Sequence, residues 1–407
     1  MLKLQSVGMK VLIKLESRCK ILSELQEETY SSPINLTQQF KFCGNAFRVD
    51  LYKGCDFGCK YCFANSNTSK GHNTGFGLAQ FSQIERYFKR AFDDNELNTK
   101  SLTVELLQHR VPLHCGGMSD PFQKKEFEYG YTKKLIELSN KYNYPIMFST
   151  KTAHLPKEYL DILNPNIHAF QSSIMGWTPD FIRKYEGNTP TAQDRLNFVS
   201  LLRERGFWCS IRIQPVVNLS EALLLVDNAK SIPSYYTVEH LKIPRDNIKV
   251  QKLFKSEYAN FKWVYSKNNF RNIEIVTYIK RNNIDVIKSH ANAFGIKVGV
   301  GDNDLHFLSQ SNCCCGIDTI GDSFNNYLKY NSTYFSTAQN IDIDNLWFPK
   351  CNCRNIFYSS SLANKDKYVN FNEEVHTYMN KYPELLPTNK YDEISRITGI
   401  KFKKKLF

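Results

Sequence analysis

The chain has 407 residues, of which 42% are hydrophobic and 14% aromatic, so it can build a packed core and is not a disordered protein. No run approaches 18 consecutive apolar residues, so the sequence predicts no membrane-spanning helix. Lysine and arginine exceed aspartate and glutamate by 13. This excess favours a polyanionic partner such as DNA or RNA, although compositional drift toward lysine would produce it too.

Eight of the twelve cysteines fall into two groups, and Cys19, Cys43, Cys115 and Cys209 stand alone. The first group is Cys55, Cys59 and Cys62. The second group is Cys313, Cys314, Cys315, Cys351 and Cys353. Short spacing of this kind indicates metal ligation more than a disulfide framework. The N-terminus shows no secretion signal, so we expect a cytoplasmic protein, in the reducing compartment that suits thiolate-bound iron–sulfur clusters.

Strands and helices are predicted to alternate after an irregular N-terminal segment, residues 1–44. The predicted strands are 47–52, 111–113, 145–150, 168–174, 208–215 and 239–243. The predicted helices are 81–93, 127–142, 157–163, 192–205 and 220–231. Strand–helix–strand units repeated at this spacing predict a parallel sheet and an α/β fold.

Six such units predict a partial (βα)6 barrel of the TIM type over residues 45–245, with its chemistry at the carboxyl ends of the strands. Residues 246–407 are expected to form an irregular, cysteine-containing extension with a helix at 285–294 and a strand at 296–300. Within it, the basic and aromatic segment 249–283 either lines a nucleic-acid groove or is a solvated surface.

The first cysteine group has the spacing CxxxCxxC and follows the first predicted strand. Three thiolates can hold three irons of a four-iron cluster and leave the fourth iron open, as a catalytic metal requires. Gly54 and Gly58 allow the turns that aim the thiols inward. A zinc knuckle is the alternative, but zinc usually takes four protein ligands and this loop offers three.

This motif, placed after the first strand of a (βα)6 pattern, resembles the radical SAM superfamily. Further segments resemble its spore photoproduct lyase-like branch, in the same order along the chain. They are LYKGCDFGCKYCFAN at 51–65, GGMSDPFQ at 116–123, FSTKT at 148–152, QSSI at 171–174 and YEGNTP at 185–190. Together they lie within residues 45–220.

The resemblance implies a [4Fe–4S] cluster whose open iron binds S-adenosylmethionine (SAM), and reductive cleavage of SAM to a 5′-deoxyadenosyl radical. The SAM-binding residues that it implies are Tyr61, Gly116, Gly117, Ser119, Asp120, Lys151 and Ser173. Of these, Tyr61 would lie near the adenine and Lys151 would pair with the SAM carboxylate. Glu186 is expected to anchor the loop beside the site.

Two positions depart from the branch. Its hydrogen-atom donor is a cysteine near the end of the second strand, and Cys115 is the candidate here, two residues early relative to the Ser119–Asp120 pair. A small buried structural thiol is the alternative. The tyrosine that follows the third cluster cysteine in the branch is replaced by Phe63. The chain is therefore expected to differ from an authentic spore photoproduct lyase.

The second cysteine group is predicted to hold a second iron–sulfur cluster or zinc, with uncoordinated thiols as the alternative. The expected substrate is DNA or RNA, in a lyase-like repair or modification reaction, with a flavodoxin- or ferredoxin-type reductant as partner. One alternative is a radical SAM enzyme that modifies a peptide or protein side chain. Another is a non-catalytic, metal-stabilised nucleic-acid-binding protein.

Overall fold

The computed structural model describes residues 28–30, 33–36, 45, 47–66, 75–94, 99, 101–255, 257, 263–265, 272–302, 304–305, 308–311 and 313–324. Cys19, Cys43, Cys351, Cys353 and the basic tail 401–405 lie outside these residues. Within the described part of the chain, no helix is both long and apolar enough to cross a membrane.

The strands and helices have the following bounds. The strands are β1 (Glu28–Tyr30), β2 (Ile34–Leu36), β3 (Phe47–Val49), β4 (Tyr52–Lys53), β5 (Gly77–Ala79), β6 (Leu113–Cys115), β7 (Ile146–Thr150), β8 (His168–Ser173), β9 (Trp208–Val216), β10 (Tyr235–His240), β11 (Lys242–Pro244), β12 (Trp263–Tyr265), β13 (Asn272–Ile275) and β14 (Val298–Val300). The helices are α1 (Phe63–Ser66), α2 (Phe81–Phe88), α3 (Leu102–Gln108), α4 (Glu126–Tyr129), α5 (Tyr131–Tyr142), α6 (Lys157–Leu160), α7 (Pro179–Tyr185), α8 (Ala192–Glu204), α9 (Leu219–Ala229), α10 (Ile248–Phe254) and α11 (Thr277–Ala293). A π-helical turn, Lys89–Asp93, extends α2, and a 3-10 turn spans Ile317–Thr319.

The central sheet has the strand order β14-β10-β9-β8-β7-β6-β3-β2. Neighbouring strands from β3 to β14 run parallel, and only β2 pairs antiparallel, with β3. From β6 to β10, strands that follow one another in the chain are neighbours in the sheet and are joined through helices, which is the βαβ arrangement. The predicted α/β class with a mostly parallel sheet is confirmed.

The sixth strand was predicted too late, at 239–243, whereas β10 is Tyr235–His240. Its aromatic and β-branched start, Tyr235 to Val238, is buried on both faces, so it lacks the alternation that marks a strand. Helices α1, α3, α7 and α10 were missed, and α11 begins eight residues before the predicted 285. α11 buries Lys280 and Asn283, so its apolar periodicity is interrupted. The boundaries of the predicted domains stay predictions.

The two faces of the central sheet differ in chemistry. On the face covered by helices, Cys115, Phe148 and Phe170 are paired across β6, β7 and β8. Phe170 packs there against Phe198 of α8, with ring centroids 6.4 Å apart. Because side chains alternate along a strand, the residues next to these point to the opposite, inner face. That face carries polar side chains, and the candidate site lies at its carboxyl end.

Candidate active site

The CxxxCxxC motif forms a loop, residues 54–62, between β4 and α1, called the cysteine loop below. Gly54 and Gly58 adopt φ values of +83° and +61°, which L-residues with side chains rarely adopt, so the expected turns at both glycines are confirmed. The Cys62 amide donates to the Cys59 carbonyl at 3.2 Å and closes the end of the loop. Cys59 is buried and Cys55 is exposed. The three cysteines therefore lie on one tightly turned segment.

Gln123 fixes the first half of the cysteine loop. Its side-chain oxygen accepts from the Asp56 amide at 3.0 Å, and its side-chain nitrogen donates to the Gly54 carbonyl at 3.2 Å. The Asp56 carboxylate in turn accepts from the Lys125 amide at 3.1 Å. Gln123 is fully buried, so these bonds are shielded from competition with water.

The end of α7 fixes the second half of the loop. The Lys60 amide donates to the Tyr185 carbonyl at 2.9 Å, and the Asn188 amide donates to the Phe57 carbonyl at 3.1 Å. Cys59 and Glu186 form an isolated antiparallel bridge between the two segments. The expectation that Glu186 anchors the loop is confirmed by this bridge.

Glu186 is also the centre of a buried ion network. Its carboxylate lies 2.9 Å from Lys151 Nζ and 2.8 Å from Arg195 Nη2, and it accepts a hydrogen bond from the Tyr61 hydroxyl. Burial alone would raise the pKa of Glu186, but Arg195 and Lys151 outweigh it and hold this pKa at about 2. Glu186 is therefore ionised across the physiological pH range.

The network contains two cations for one carboxylate. Arg195 also donates to the Ser173 carbonyl at 2.6 Å, and the ammonium of Lys151 lies 5.7 Å from the centre of the Tyr61 ring. Arg195 and Glu186 are fully buried, and Lys151 keeps a side-chain exposure of 16%. A partly exposed lysine that shares the Glu186 carboxylate with a second cation can accept one further anionic group, such as a ligand carboxylate.

Ser119 and Asp120, predicted to bind SAM, form hydrogen bonds with other groups of the protein. The Ser119 hydroxyl donates to the Tyr52 carbonyl at 2.8 Å. Asp120 accepts from the Lys151 amide at 2.6 Å and from the Thr150 hydroxyl at 2.8 Å. Burial raises the pKa of Asp120 to about 6, with those hydrogen bonds acting in the opposite direction. In this structure the two residues fix the end of β7. Lys151 follows this strand directly, and its side chain extends to Glu186.

Gly116 and Gly117 follow β6 directly. Gly116 has a φ of +106°, and a Cβ at this position would lie 2.2 Å from the Ser149 carbonyl oxygen, so no other residue fits. A Cβ on Gly117 would meet only ordinary contacts, 3.4 Å from Arg48 Cδ. The approach of Gly116 to the neighbouring strand is thus an internal requirement of the fold, independent of any ligand.

Cys115, the predicted hydrogen donor, is 1% exposed and lies on the helix-covered face of the sheet, in register with Phe148 and Val49. The preceding residue, His114, occupies the inner face in its place. This geometry favours the alternative, a structural thiol in the apolar core.

Sequence reasoning missed the polar residues of the inner face. His114 Nε2 lies 2.6 Å from Ser149 Oγ, and Arg212 Nη2 lies 2.6 Å from Glu239 Oε2. Burial, reinforced by Arg212, lowers the pKa of His114 to about 3, so the imidazole is neutral at pH 7. The available signal was the alternation of polar and apolar residues along β6 and β9.

The donor set of the cysteine loop fits a cluster with three protein ligands. Burial raises the pKa of Cys59 to about 12, with Lys151 acting in the opposite direction, and coordination to iron holds such a thiol as the thiolate. No three or more His, Cys, Asp or Glu side chains converge on a single metal ion within the described residues. Cluster ligands bind separate irons and have no need to converge in that way.

The described cysteines of the second group lie in a buried loop after β14. The Cys313 and Cys315 sulfurs are 3.1 Å apart, and the Cys314 carbonyl accepts from the Thr237 hydroxyl at 2.8 Å. A Cβ on Gly299 would lie 2.1 Å from the Cys314 carbonyl oxygen, so the loop packs against a bare stretch of β14. The predicted second metal centre also uses Cys351 and Cys353 and stays a prediction.

Comparison with known proteins matches residues 49–216 to the family model described as the Radical SAM superfamily. Uncharacterised proteins of Mycobacterium tuberculosis and Mycobacterium bovis are 24% identical over 183 residues, which is 42% of this chain and 49% of theirs. The chain thus spans about half the length of the curated relatives it matches.

Among solved structures, a spore photoproduct lyase mutant is similar over 66% of this chain and 78% of its own, with 14% identity and a TM-score of 0.49. A spore photoproduct lyase complexed with dinucleoside spore photoproduct gives 14% identity and a TM-score of 0.47, over 64% of this chain and 78% of its own. SuiB of Streptococcus suis, bound to its precursor peptide SuiA, gives 14% identity and a TM-score of 0.34 over 46% of this chain and 37% of its own.

Proposed function

We propose that this chain is a radical SAM enzyme that reductively cleaves SAM and abstracts a hydrogen atom from a substrate, because residues 49–216 match the model of the Radical SAM superfamily. The observation that carries the proposal is the cysteine loop, held against a buried network of Glu186, Lys151 and Arg195 at the carboxyl ends of parallel strands. The radical SAM family implies a [4Fe–4S] cluster and SAM as cofactors.

The chain's own residues would hold these cofactors as follows. Cys55, Cys59 and Cys62 would be the iron ligands, and Gln123 keeps the first half of their loop in place. When bound, the cluster and SAM supply one-electron chemistry that ends in hydrogen abstraction. A flavodoxin- or ferredoxin-type protein is the proposed source of the electron.

The surplus cation of the ion network supports a place for the SAM carboxylate at Lys151, the partly exposed member. Arg195 keeps Glu186 neutralised while Lys151 turns to the ligand, so no buried charge is left alone. Tyr61, hydrogen-bonded to Glu186 and close to Lys151, is proposed to line the adenine side of the same pocket. Gly117 and Ser173 complete the proposed set.

The proposal is tested by anaerobic reconstitution with iron and sulfide, reduction, and an assay for 5′-deoxyadenosine. Cys59→Ala should abolish 5′-deoxyadenosine formation and lower the iron content, because the cluster loses one of three thiolate ligands. Cys209→Ala is the matched control, because this buried thiol lies on β9, outside the cysteine loop. Loss of iron and activity in both variants, or in neither, would contradict the assignment.

For the substrate we propose a nucleic acid, supported by the net charge of +13. A target base in a duplex would have to leave the stack, at a cost of a few kcal/mol, so single strands should serve best. Single-stranded DNA or RNA should bind in a strongly salt-dependent way and should stimulate SAM cleavage. Stimulation by a peptide instead would favour the alternative substrate class.

For the second cysteine group we propose an auxiliary iron–sulfur cluster or zinc site, supported by the clustering of five cysteines in the C-terminal part of the sequence. An auxiliary [4Fe–4S] cluster would raise the iron content of the reconstituted chain from about four to about eight. Substituting Cys313 by serine should then lower the total by about half while the cluster of the cysteine loop remains.

A further inference from the structure

Helix α10 comes from outside the matched residues and packs against the candidate site. Phe254, its last residue, is fully buried. Its ring stacks on Tyr185, with centroids 4.5 Å apart and planes inclined by 7°. The same ring meets Tyr61 edge-on, with centroids 6.4 Å apart. Tyr61 belongs to the cysteine loop, so one side chain contacts both that loop and the segment that fixes it.

Glu257, three residues further on, holds the same tyrosine by its other end. Its carboxylate accepts a hydrogen bond from the Tyr185 hydroxyl and lies 2.7 Å from Lys184 Nζ. It also accepts from the Asn218 side chain at 3.2 Å. Asn218 caps the start of α9 by accepting from the Glu221 amide, which ties Glu257 to a regular element. Tyr185 is thus restrained at its ring face and at its hydroxyl.

Tyr185 is the residue through which this restraint reaches the cysteine loop. Its carbonyl accepts from the Lys60 amide, and the next residue, Glu186, bridges Cys59. Glu186 also holds Lys151. A shift of the Tyr185 ring would therefore move the backbone that sets the positions of Cys59 and Lys151.

We infer that Phe254 and Glu257 are positioning residues for the cysteine loop. The segment after β11, which contains both residues, would thereby fix the geometry of the iron and SAM ligands. The importance for SAM rests on the proposed function, whereas the restraint on the loop does not. Stacked and edge-on rings hold preferred relative geometries, so Phe254 restrains orientation as well as filling space.

The first experiment is hydrogen exchange on the metal-free protein, which needs no cofactor. Phe254→Ala should speed amide exchange at least about ten-fold in peptides covering 54–62 and 184–190, while peptides covering β7 and β8 keep wild-type rates. Ile248→Ala is the matched control on the same helix, because Ile248 is 52% exposed, and it should leave all of these peptides unchanged.

Glu257→Gln is the second variant, because it keeps the size of the side chain and removes only the charge. It should speed exchange in the same two peptides by a smaller factor. In the reconstituted enzyme, Phe254→Ala should raise the KM for SAM several-fold more than it lowers kcat, and Phe254→Leu, which keeps most of the apolar volume, should fall between. The spectroscopic change that SAM binding causes at the cluster should weaken in parallel.

Each outcome decides the inference. Unchanged exchange of the loop in both variants would overturn it, and so would exchange that rises equally in the sheet peptides. If Phe254→Ala does not fold, the Glu257→Gln result decides alone. A wild-type protein that forms no 5′-deoxyadenosine would contradict the proposed function and leave the exchange results standing.

Discussion

Two buried ion networks lie at the carboxyl edge of the central sheet, and they are balanced in opposite ways. Around Glu186, two cations share one carboxylate. After β10 and β14, one lysine, Lys280, lies 2.7 Å from Asp304, 3.3 Å from Glu274 and 4.0 Å from Asp302.

The members of the second network contact one another, and most of them are buried. Asp302 lies 2.7 Å from His240 Nδ1, and the other ring nitrogen of His240 lies 3.2 Å from the Asn283 side chain. These residues join β10, α11 and the end of β14, and Asp302, His240 and Lys280 have no exposed side-chain surface. The difference separates two uses of buried charge. The Glu186 network has spare positive charge next to a loop of thiols, whereas the Lys280 network holds secondary structure together.

The largest effect is expected for Glu186→Gln. Removing the carboxylate charge leaves the fully buried Arg195 without its counter-charge, which should lower the free energy of unfolding by about 3–5 kcal/mol. Urea unfolding of the metal-free protein measures this. Asp180→Asn is the control, because its pair with Arg183 is exposed, and it should change stability by less than about 0.5 kcal/mol. Equal effects in both variants would contradict the network.

Asp302→Asn should destabilise less, by about 1–3 kcal/mol, because Lys280 keeps Asp304 and Glu274 as partners. The asparagine oxygen can still accept from His240. The same urea titration gives the value. If Asp302→Asn lowered the free energy of unfolding more than Glu186→Gln does, the proposed difference between the two networks would be contradicted.

The Asp302 contribution should also depend on pH. Burial alone would raise the pKa of Asp302, but His240 and Lys280 outweigh it and hold this pKa well below its ordinary value of 3.8. Between its lowered pKa and about pH 4, Asp302 is ionised in the native state and protonated in the unfolded state. Its stabilisation is therefore present above about pH 4 and is lost as the pH falls below it. The stability difference between wild type and Asp302→Asn should shrink as the pH falls from about 5 toward 3. A stability difference between the two proteins that grows between about pH 5 and 3 would contradict a lowered pKa of Asp302.

The smallest effect is expected for Cys115→Ala. Because this thiol faces the helix-covered core, the substitution should lower the free energy of unfolding by about 1 kcal/mol and change 5′-deoxyadenosine formation by less than about two-fold. Ser149→Ala is the variant to compare with Cys115→Ala, because Ser149 lies beside His114 on the inner face of the sheet. A loss of hydrogen transfer in Cys115→Ala at normal iron content would restore the catalytic interpretation.

The sequence was informative wherever the signal was local. The cysteine spacing and the turn glycines of the cysteine loop are set within nine residues, and short apolar runs located five of the six predicted strands. The Glu186 network was only partly foreseen, because its three charged members come from separate elements and meet only through the fold. Phe254 gave no signal at all, because a lone aromatic residue in a basic helix looks like any other amphipathic position.

The pairing of β14 with β10 has a practical consequence for dividing the chain. Val298, Gly299 and Val300 cover Tyr236, Thr237 and Val238, which would otherwise form a bare strand edge. A fragment that stops at the predicted boundary of 245 would expose those unpaired amides and carbonyls beside two tyrosines and a valine. Such an edge recruits strands from other molecules. Recombinant fragments of this protein should therefore extend past residue 300. A shorter fragment would aggregate, and its lack of activity would be wrongly attributed to the enzyme itself.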